Sequence, residues 1–123
     1  GRTARSKETQ MTRHAWVQEF PAAITVSDAQ GKIIEINGKA AKTLEKDGGA
    51  KLIGTNVLDC HPEPSRTKLR DIMDNRKINI YTLEKDGIKK LIYQAPWYEG
   101  GEYAGVVELS VEIPFEMPHF VRD

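Results

Sequence analysis

Apolar and polar residues alternate with a period of two in five stretches of this chain, which predicts five β-strands. Ile24 and Val26 belong to the first stretch, and Ile34 and Ile36 to the second, after an Asp-Ala-Gln-Gly turn sequence. Three further stretches lie near residues 78–82, 91–97 and 103–113, with turn sequences between them. The predicted strands therefore form a group of two and a group of three.

Helical patterns fill the segment between the two groups of strands. Asn37 is a good N-cap for a short helix, and Pro64 with Ser65 stands where a longer helix begins. The apolar stripe of the longer helix consists of Leu69, Ile72 and Met73. A further helical pattern at residues 9–20 predicts a flanking helix that Pro21 ends. The fold class is therefore α+β, a five-stranded antiparallel sheet with helices on one face and an N-terminal flanking helix.

The last strand has the clearest pattern of all. One face carries Tyr103, Gly105, Val107, Leu109, Val111 and Ile113, and the other carries Glu108, Ser110 and Glu112. We expect Glu108 to face solvent or a dimer partner, because a carboxylate on a covered face would need a hydrogen-bond partner or a raised pKa.

The order of these elements resembles the PAS domain family. The sequence "NGKA" at 37–40 is followed by "GG" at 48–49 and "LIG" at 52–54, and the chain continues to "GGEYAGVVELSVEI" at 100–113. The resemblance implies the PAS (profilin-like) fold over residues 21–114, a flanking segment and helix at 1–20, and a C-terminal tail at 115–123. It also implies a sensory role, without enzymatic activity, that relays binding of a ligand or partner.

A narrower resemblance lies in the Cys-His-Pro-x-x-Ser motif at 60–65, which is similar to a group of bacterial PAS sensors. The resemblance names no ligand, because PAS domains hold haem, flavins or small acids, or no ligand at all. The downstream signalling partner is also left open.

Composition narrows the possible partners. The 123 residues contain 18 Lys and Arg and 18 Asp and Glu, so the formal net charge is zero and gives no case for nucleic acid or an anionic membrane. No apolar run approaches the length of a membrane span. Cys60 is the single cysteine and cannot form an internal disulfide, which favours a reducing cytoplasm.

Several residues are candidates for binding a small ligand. The N-terminus of the longer helix lies beside His61 and Arg66, which together could hold an anion. Met73, Tyr93 and Trp97 could line the same cavity if their faces look towards the helices. If the face of Tyr93 and Trp97 looks outward, the pair forms a dimer surface or a floor for the N-terminal helix, and packing is the favoured reading of this pair.

Cofactor chemistry has weaker support. His61 or Cys60 could ligate a haem iron, and His61 is a metal ligand only in that case. Flavin photochemistry is disfavoured because Val57 stands where light-sensing PAS domains carry their reactive cysteine. The cofactor is therefore unknown, and the domain can also function without one.

The N-terminal helix predicts a homodimer. Met11 and Trp16 lie on or near one face, and Phe20 follows Trp16 by one helical turn. A helix this short needs a surface to be stable, and a second copy or the outer face of the sheet would supply it. A ligand-free dimerisation module is thus the rival to a ligand-binding sensor.

Overall fold

A computed structural model of the chain describes residues 15–123, and the fold is a single antiparallel sheet with helices on one face. The strands are β1 (Ala23–Asp28), β2 (Ile33–Ile36), β3 (Asn79–Lys85), β4 (Ile88–Glu99) and β5 (Glu102–Ile113). Their order across the sheet is β2-β1-β5-β4-β3, and every neighbouring pair is antiparallel. The predicted α+β class with five strands is therefore confirmed.

The helices lie between β2 and β3 along the chain. They are α1 (Gly38–Thr43) and α2 (Ser65–Asn75), with short 3-10 turns at Glu45–Asp47, Gly49–Leu52 and Val57–Cys60. The helix α2 begins at Ser65, as the sequence predicts. Residues 15–18 are helical, whereas Met11 and the first part of the predicted flanking helix lie outside the described residues.

Two turns adopt the geometry that their residues favour. Asp28 Oδ1 accepts hydrogen bonds from the backbone N–H groups of Gln30 and Lys32, which closes the turn between β1 and β2. Asp86 and Gly87 have φ angles of 53° and 78° and form the two-residue connection between β3 and β4. Two consecutive positive φ angles fit the right-handed twist of a tight hairpin.

Asn37 is the most extensively bonded side chain of the fold, and it is 0% exposed. Its Oδ1 accepts from the N–H groups of Ile24 (2.9 Å) and Ala40 (3.0 Å). Its Nδ2 donates to the carbonyl oxygens of Val17 (2.9 Å) and Ala22 (2.7 Å). One side chain therefore caps α1 and also joins it to β1 and to the chain that precedes β1.

The apolar core lies between the helices and one half of the sheet. One cluster joins β1 and β2 to α1 and the turns, and a second joins α2 to β5. The clusters consist of Ala23, Ile33, Ile36, Ala40 and Leu52, and of Leu69, Ile72, Met73 and Val106. Tyr81 and Leu83 of the edge strand β3 are 42% and 36% exposed, so the helices cover the β2-β1-β5 half more completely.

The expectation that Glu108 faces solvent or a dimer partner was wrong. Glu108 lies on the helix-covered face of β5, where it lines a cavity together with Val57 of a 3-10 turn and Leu69 of α2. The apolar face of β5 is instead the outer face, where Leu109 pairs with Tyr93 of β4 and Ile24 of β1. The strand register explains why Glu108 lies on the covered face. Glu108 is opposite Thr25 of β1, and Thr25 shares a face with Ala23, which packs on α1.

The C-terminal tail, residues 115–123, extends beyond β5 and is exposed along its whole length. The large apolar side chains of this tail are Phe115, Met117, Phe120 and Val121. These side chains therefore leave apolar surface in contact with water.

Replacing Asn37 with Ala should destabilise the fold strongly. The change leaves two N–H groups and two carbonyl groups without their buried partner, so we expect a loss of about 3 kcal/mol or more in the free energy of unfolding. Urea denaturation measures this loss.

Asn56→Ala is the matched control. Asn56 also caps a helical turn, through the N–H of Leu58 at 2.9 Å, but it is only partly buried. We expect a loss of about 1 kcal/mol for this variant. Equal losses for the two variants would contradict the central role of Asn37.

Candidate functional site

A row of polar side chains crosses the covered face of the sheet. Asn79 Nδ2 donates to Gln94 Oε1 at 2.9 Å, and Gln94 Nε2 donates to Glu108 Oε1 at 2.6 Å. An ionised carboxylate only accepts hydrogen bonds, so Glu108 fixes the orientation of the Gln94 amide, and Gln94 fixes that of Asn79. We call this set the polar row. All its donated hydrogen bonds run towards Glu108.

His61 faces the polar row from the helical side. Its Nδ1 lies 2.7 Å from the carbonyl oxygen of Val57, one turn earlier in the chain. Since a carbonyl oxygen accepts, Nδ1 carries the proton of this bond. The other ring nitrogen, Nε2, is therefore an acceptor in the neutral imidazole.

Three spaces lie along the polar row. The smallest, of about 20 Å³, is lined by Leu69 of α2 and by Gln94 and Glu108 of the sheet. A second space, of about 260 Å³, is the polar cavity, which is lined by His61, Ser65, Lys68, Asn79, Tyr81 and Gln94. A third, of about 270 Å³, is the apolar groove between α1 and the strands β3 and β4. Its walls include Thr25, Leu44, Leu83, Lys85, Lys90, Ile92 and Glu108.

The negative charge of Glu108 affects the pKa of Tyr81. The pKa of the Tyr81 phenol is raised, first because burial disfavours the phenolate and second because of the negative charge of Glu108. Tyr81 also lines the polar cavity beside Gln94. The polar cavity is therefore linked to the Glu108 carboxylate through the hydrogen bond of Gln94.

The predicted anion site at the start of α2 already holds a carboxylate of the chain itself. Glu63 accepts from the backbone N–H of Thr67 (2.8 Å) and from its hydroxyl (2.5 Å). These bonds lower the pKa of Glu63. Arg66 Nε donates to the carbonyl oxygens of Leu58 and His61 and so stabilises the turn that precedes α2. Arg66 lines none of the three spaces.

The other predicted ligand residues lie away from the polar row. Met73 is buried in the core cluster between α2 and β5. Tyr93 and Trp97 lie on the outer face of β4, and Trp97 Nε1 donates to the carbonyl oxygen of Ser27 at 2.9 Å. A Cβ at Gly105, opposite Trp97, would lie 1.8 Å from the same oxygen, so glycine is required there. Of the five predicted ligand residues, only His61 lines the cavities.

Sequence reasoning missed Asn79, Gln94 and Lys68. A signal was present in the alternation of β4, where Gln94 shares a face with Ile92 and Lys90. The opposite face carries Leu91, Tyr93, Ala95 and Trp97. That pattern is normally interpreted as a solvent face. Only the cross-strand register places Gln94 beside Glu108 on the covered face.

The residues present do not fit haem. His61 Nε2 is available as a ligand, but the space beside it is about 260 Å³ and is lined mainly by polar side chains. Cys60 has its sulfur 3.9 Å from the carbonyl oxygen of Asn56 in its own turn. Within residues 15–123, no three His, Cys, Asp or Glu side chains are grouped so that they could hold a metal ion.

Comparison with known proteins gives a fold match alone. No protein-family model matches the chain, and no curated protein matches it. Among solved structures, the PAS domain of an HTR-like protein from Haloarcula marismortui is 20% identical, with 91% of this chain and 98% of that one covered and a TM-score of 0.57. A sensory box sensor histidine kinase from Vibrio cholerae is 16% identical over 93% and 98% of the chains, with a TM-score of 0.61.

The PAS domain of BvgS from Bordetella pertussis is 15% identical, with 87% and 88% covered and a TM-score of 0.60. Together with the strand order and the helices between β2 and β3, these similarities show that the chain has the PAS fold. In the part of the chain from residue 15 onwards, no helix is long and apolar enough to cross a membrane.

Replacing Glu108 with Gln should lower the pKa of Tyr81 towards its ordinary value of 10.0, because the nearby negative charge is removed. The pKa should stay above that value, because burial is the larger cause of the shift. The chemical shift of Tyr81 Cζ followed against pH measures this change.

The raised pKa of Tyr81 also makes the stability of the fold depend on pH. A phenol whose folded pKa is raised stabilises the fold below about pH 10, and that contribution is lost as the pH rises through the raised value. Tyr81→Phe should therefore reduce the fall in stability above pH 10, and Glu112→Gln, further along β5, should leave the pKa of Tyr81 unchanged. An unaltered Tyr81 pKa in Glu108→Gln would contradict the placement of Glu108.

Proposed function

We propose that this chain is a PAS-type sensory domain that binds a small ligand at the polar row and relays binding through a conformational or dimer change. The observation that carries the proposal is a hydrogen-bonded row of polar side chains on the covered face of the sheet. Apolar residues of similar size would pack there at no lower stability, so a polar row on this face suggests a binding role.

The geometry supports a receptor rather than an enzyme. The polar row offers hydrogen-bond partners, and His61 Nδ1 is held by Val57 rather than by a carboxylate that would activate the ring as a base. We propose that residues 21–114 form the sensing unit, that the domain acts in the cytoplasm, and that its downstream partner is a separate signalling protein.

Two features support relay through a homodimer. Trp16 is 65% exposed and contacts Phe20 edge to face, with ring centroids 5.7 Å apart, so both aromatic rings offer surface to a partner. The outer face of the sheet carries a broad apolar surface as well. Its residues are Val26, Ile80, Leu91, Tyr93, Trp97, Val107, Leu109, Val111 and Ile113. A second copy can cover both, and its position would respond to changes at the polar row through β4 and β5.

Native mass spectrometry of the freshly purified protein tests ligand binding. We expect a bound small molecule that Gln94→Leu removes, because leucine breaks the polar row without adding bulk. Arg66→Leu should retain the molecule, because Arg66 lies outside the cavities. If all three proteins have the mass of the bare chain, the ligand-free dimerisation module is the better description.

Sedimentation velocity tests the homodimer. Trp16→Ala should shift the protein towards monomer, because it removes a large exposed aromatic anchor of the kind that dominates interfaces. Ile53→Ala is the control, since Ile53 is 47% exposed but lies in the turns between α1 and α2. A monomeric native protein, or a Trp16→Ala profile identical to the native one, would contradict the proposed interface.

A further inference from the structure

We propose that the ligand of this site is a small cationic nitrogen compound, an amidinium or aminium, whose N–H groups donate to Glu108. This inference rests on the proposed ligand-binding function and names the chemistry of the same site. It reverses the sequence-based expectation of an anion.

Glu108 has no cationic side chain beside it in the described part of the chain. Its neighbour on the same strand face, Glu112, has Lys39 at 3.5 Å, whereas no cation among residues 15–123 lies within ion-pair distance of Glu108. Lys68 lines the polar cavity, and Lys85 and Lys90 line the apolar groove, but none of them forms that pair. A carboxylate on the covered face of a sheet is stabilised by a cation, and a ligand can supply it.

The hydrogen bonds of the polar row leave acceptor atoms available to a ligand. Asn79 and Gln94 each use a side-chain N–H group within the polar row. In the described part of the chain, the second oxygen of Glu108 and Asn79 Oδ1 accept no hydrogen bond from another side chain. In the neutral imidazole, His61 Nε2 is a third acceptor, because Nδ1 holds the ring proton. These acceptors call for a ligand with several N–H donors.

The two larger spaces reach the polar row at different residues. The polar cavity is lined by Asn79 and Gln94, whereas the apolar groove is lined by Glu108 and has apolar walls at Leu44, Leu83 and Ile92. Each space is below the range of about 300–1,000 Å³ that is usual for drug-sized ligands. A cationic head at Glu108 with a body no larger than one ring fits these dimensions.

The anion site that the sequence predicts is already taken up by groups of the chain itself. Glu63 occupies the N-terminus of α2, and Arg66 is bonded to the backbone of the preceding turn. A carboxylate placed at the polar row would face Glu108 directly, and like charges at short range repel.

Three probes of nearly the same shape separate the possibilities, namely benzamidine (a cation), benzamide (neutral) and benzoate (an anion). Each is titrated into isotope-labelled protein, residues 1–123, while the side-chain amide signals of Gln94 and Asn79 are followed. We expect benzamidine to bind about tenfold more tightly than benzamide, because a charge-assisted hydrogen bond replaces a neutral one.

Two variants test the source of that preference. Glu108→Gln keeps the shape of the site and should abolish the preference for benzamidine, with a dispersed amide spectrum as the check on folding. Glu112→Gln removes a carboxylate from the same strand face and should leave the preference unchanged.

The outcomes distinguish this inference from the function on which it rests. Binding of benzoate or benzamide at least as tight as that of benzamidine would overturn the cationic ligand and leave a small-molecule sensor in place. A benzamidine preference that persists in Glu108→Gln would also overturn it. If no probe shifts the Gln94 or Asn79 amide signals, both the inference and the ligand-binding function fail.

Discussion

The buried amide of Asn37 is the interaction on which the rest of this structure depends. Its hydrogen bonds to Ile24 and Ala40 tie the start of β1 to the first turn of α1. Because strand residues alternate, this attachment turns Ala23 and Thr25 towards the helices. Thr25 pairs with Glu108 on β5, so the face that this attachment turns towards the helices is also the face that carries Glu108.

The covered face therefore combines two different environments. Beneath the start of α1 and the body of α2 it is apolar and closely packed, as a core should be. Between these helices and the edge strand β3 it carries the polar row and the two open spaces. The segment between β2 and β3 contains the short helix α1, three 3-10 turns and α2, and these elements leave β3 largely exposed. The site exists where the helical layer is incomplete.

Much of the fold could be predicted from the sequence because its signals are local. The Asp28 turn, the Asn37 cap, the Asp86-Gly87 hairpin and the start of α2 each depend on residues close together in the chain. The site depends on long-range pairing, which alternation alone does not specify. Gln94 and Glu108 looked like a solvent face, and only the register of three strands places them opposite His61. Of the predicted ligand residues, His61 lines the site, while Arg66, Met73, Tyr93 and Trp97 lie elsewhere.

The most direct test of this account asks which face of β5 meets the helices. Nuclear Overhauser contacts from the methyl groups of Leu69 in α2 report this without any ligand. The account predicts contacts to the side chains of Gln94 and Val106, which line the same space as Leu69. Contacts from Leu69 to Leu109 and Tyr93 would contradict it, because the apolar face of the sheet would then be the covered one.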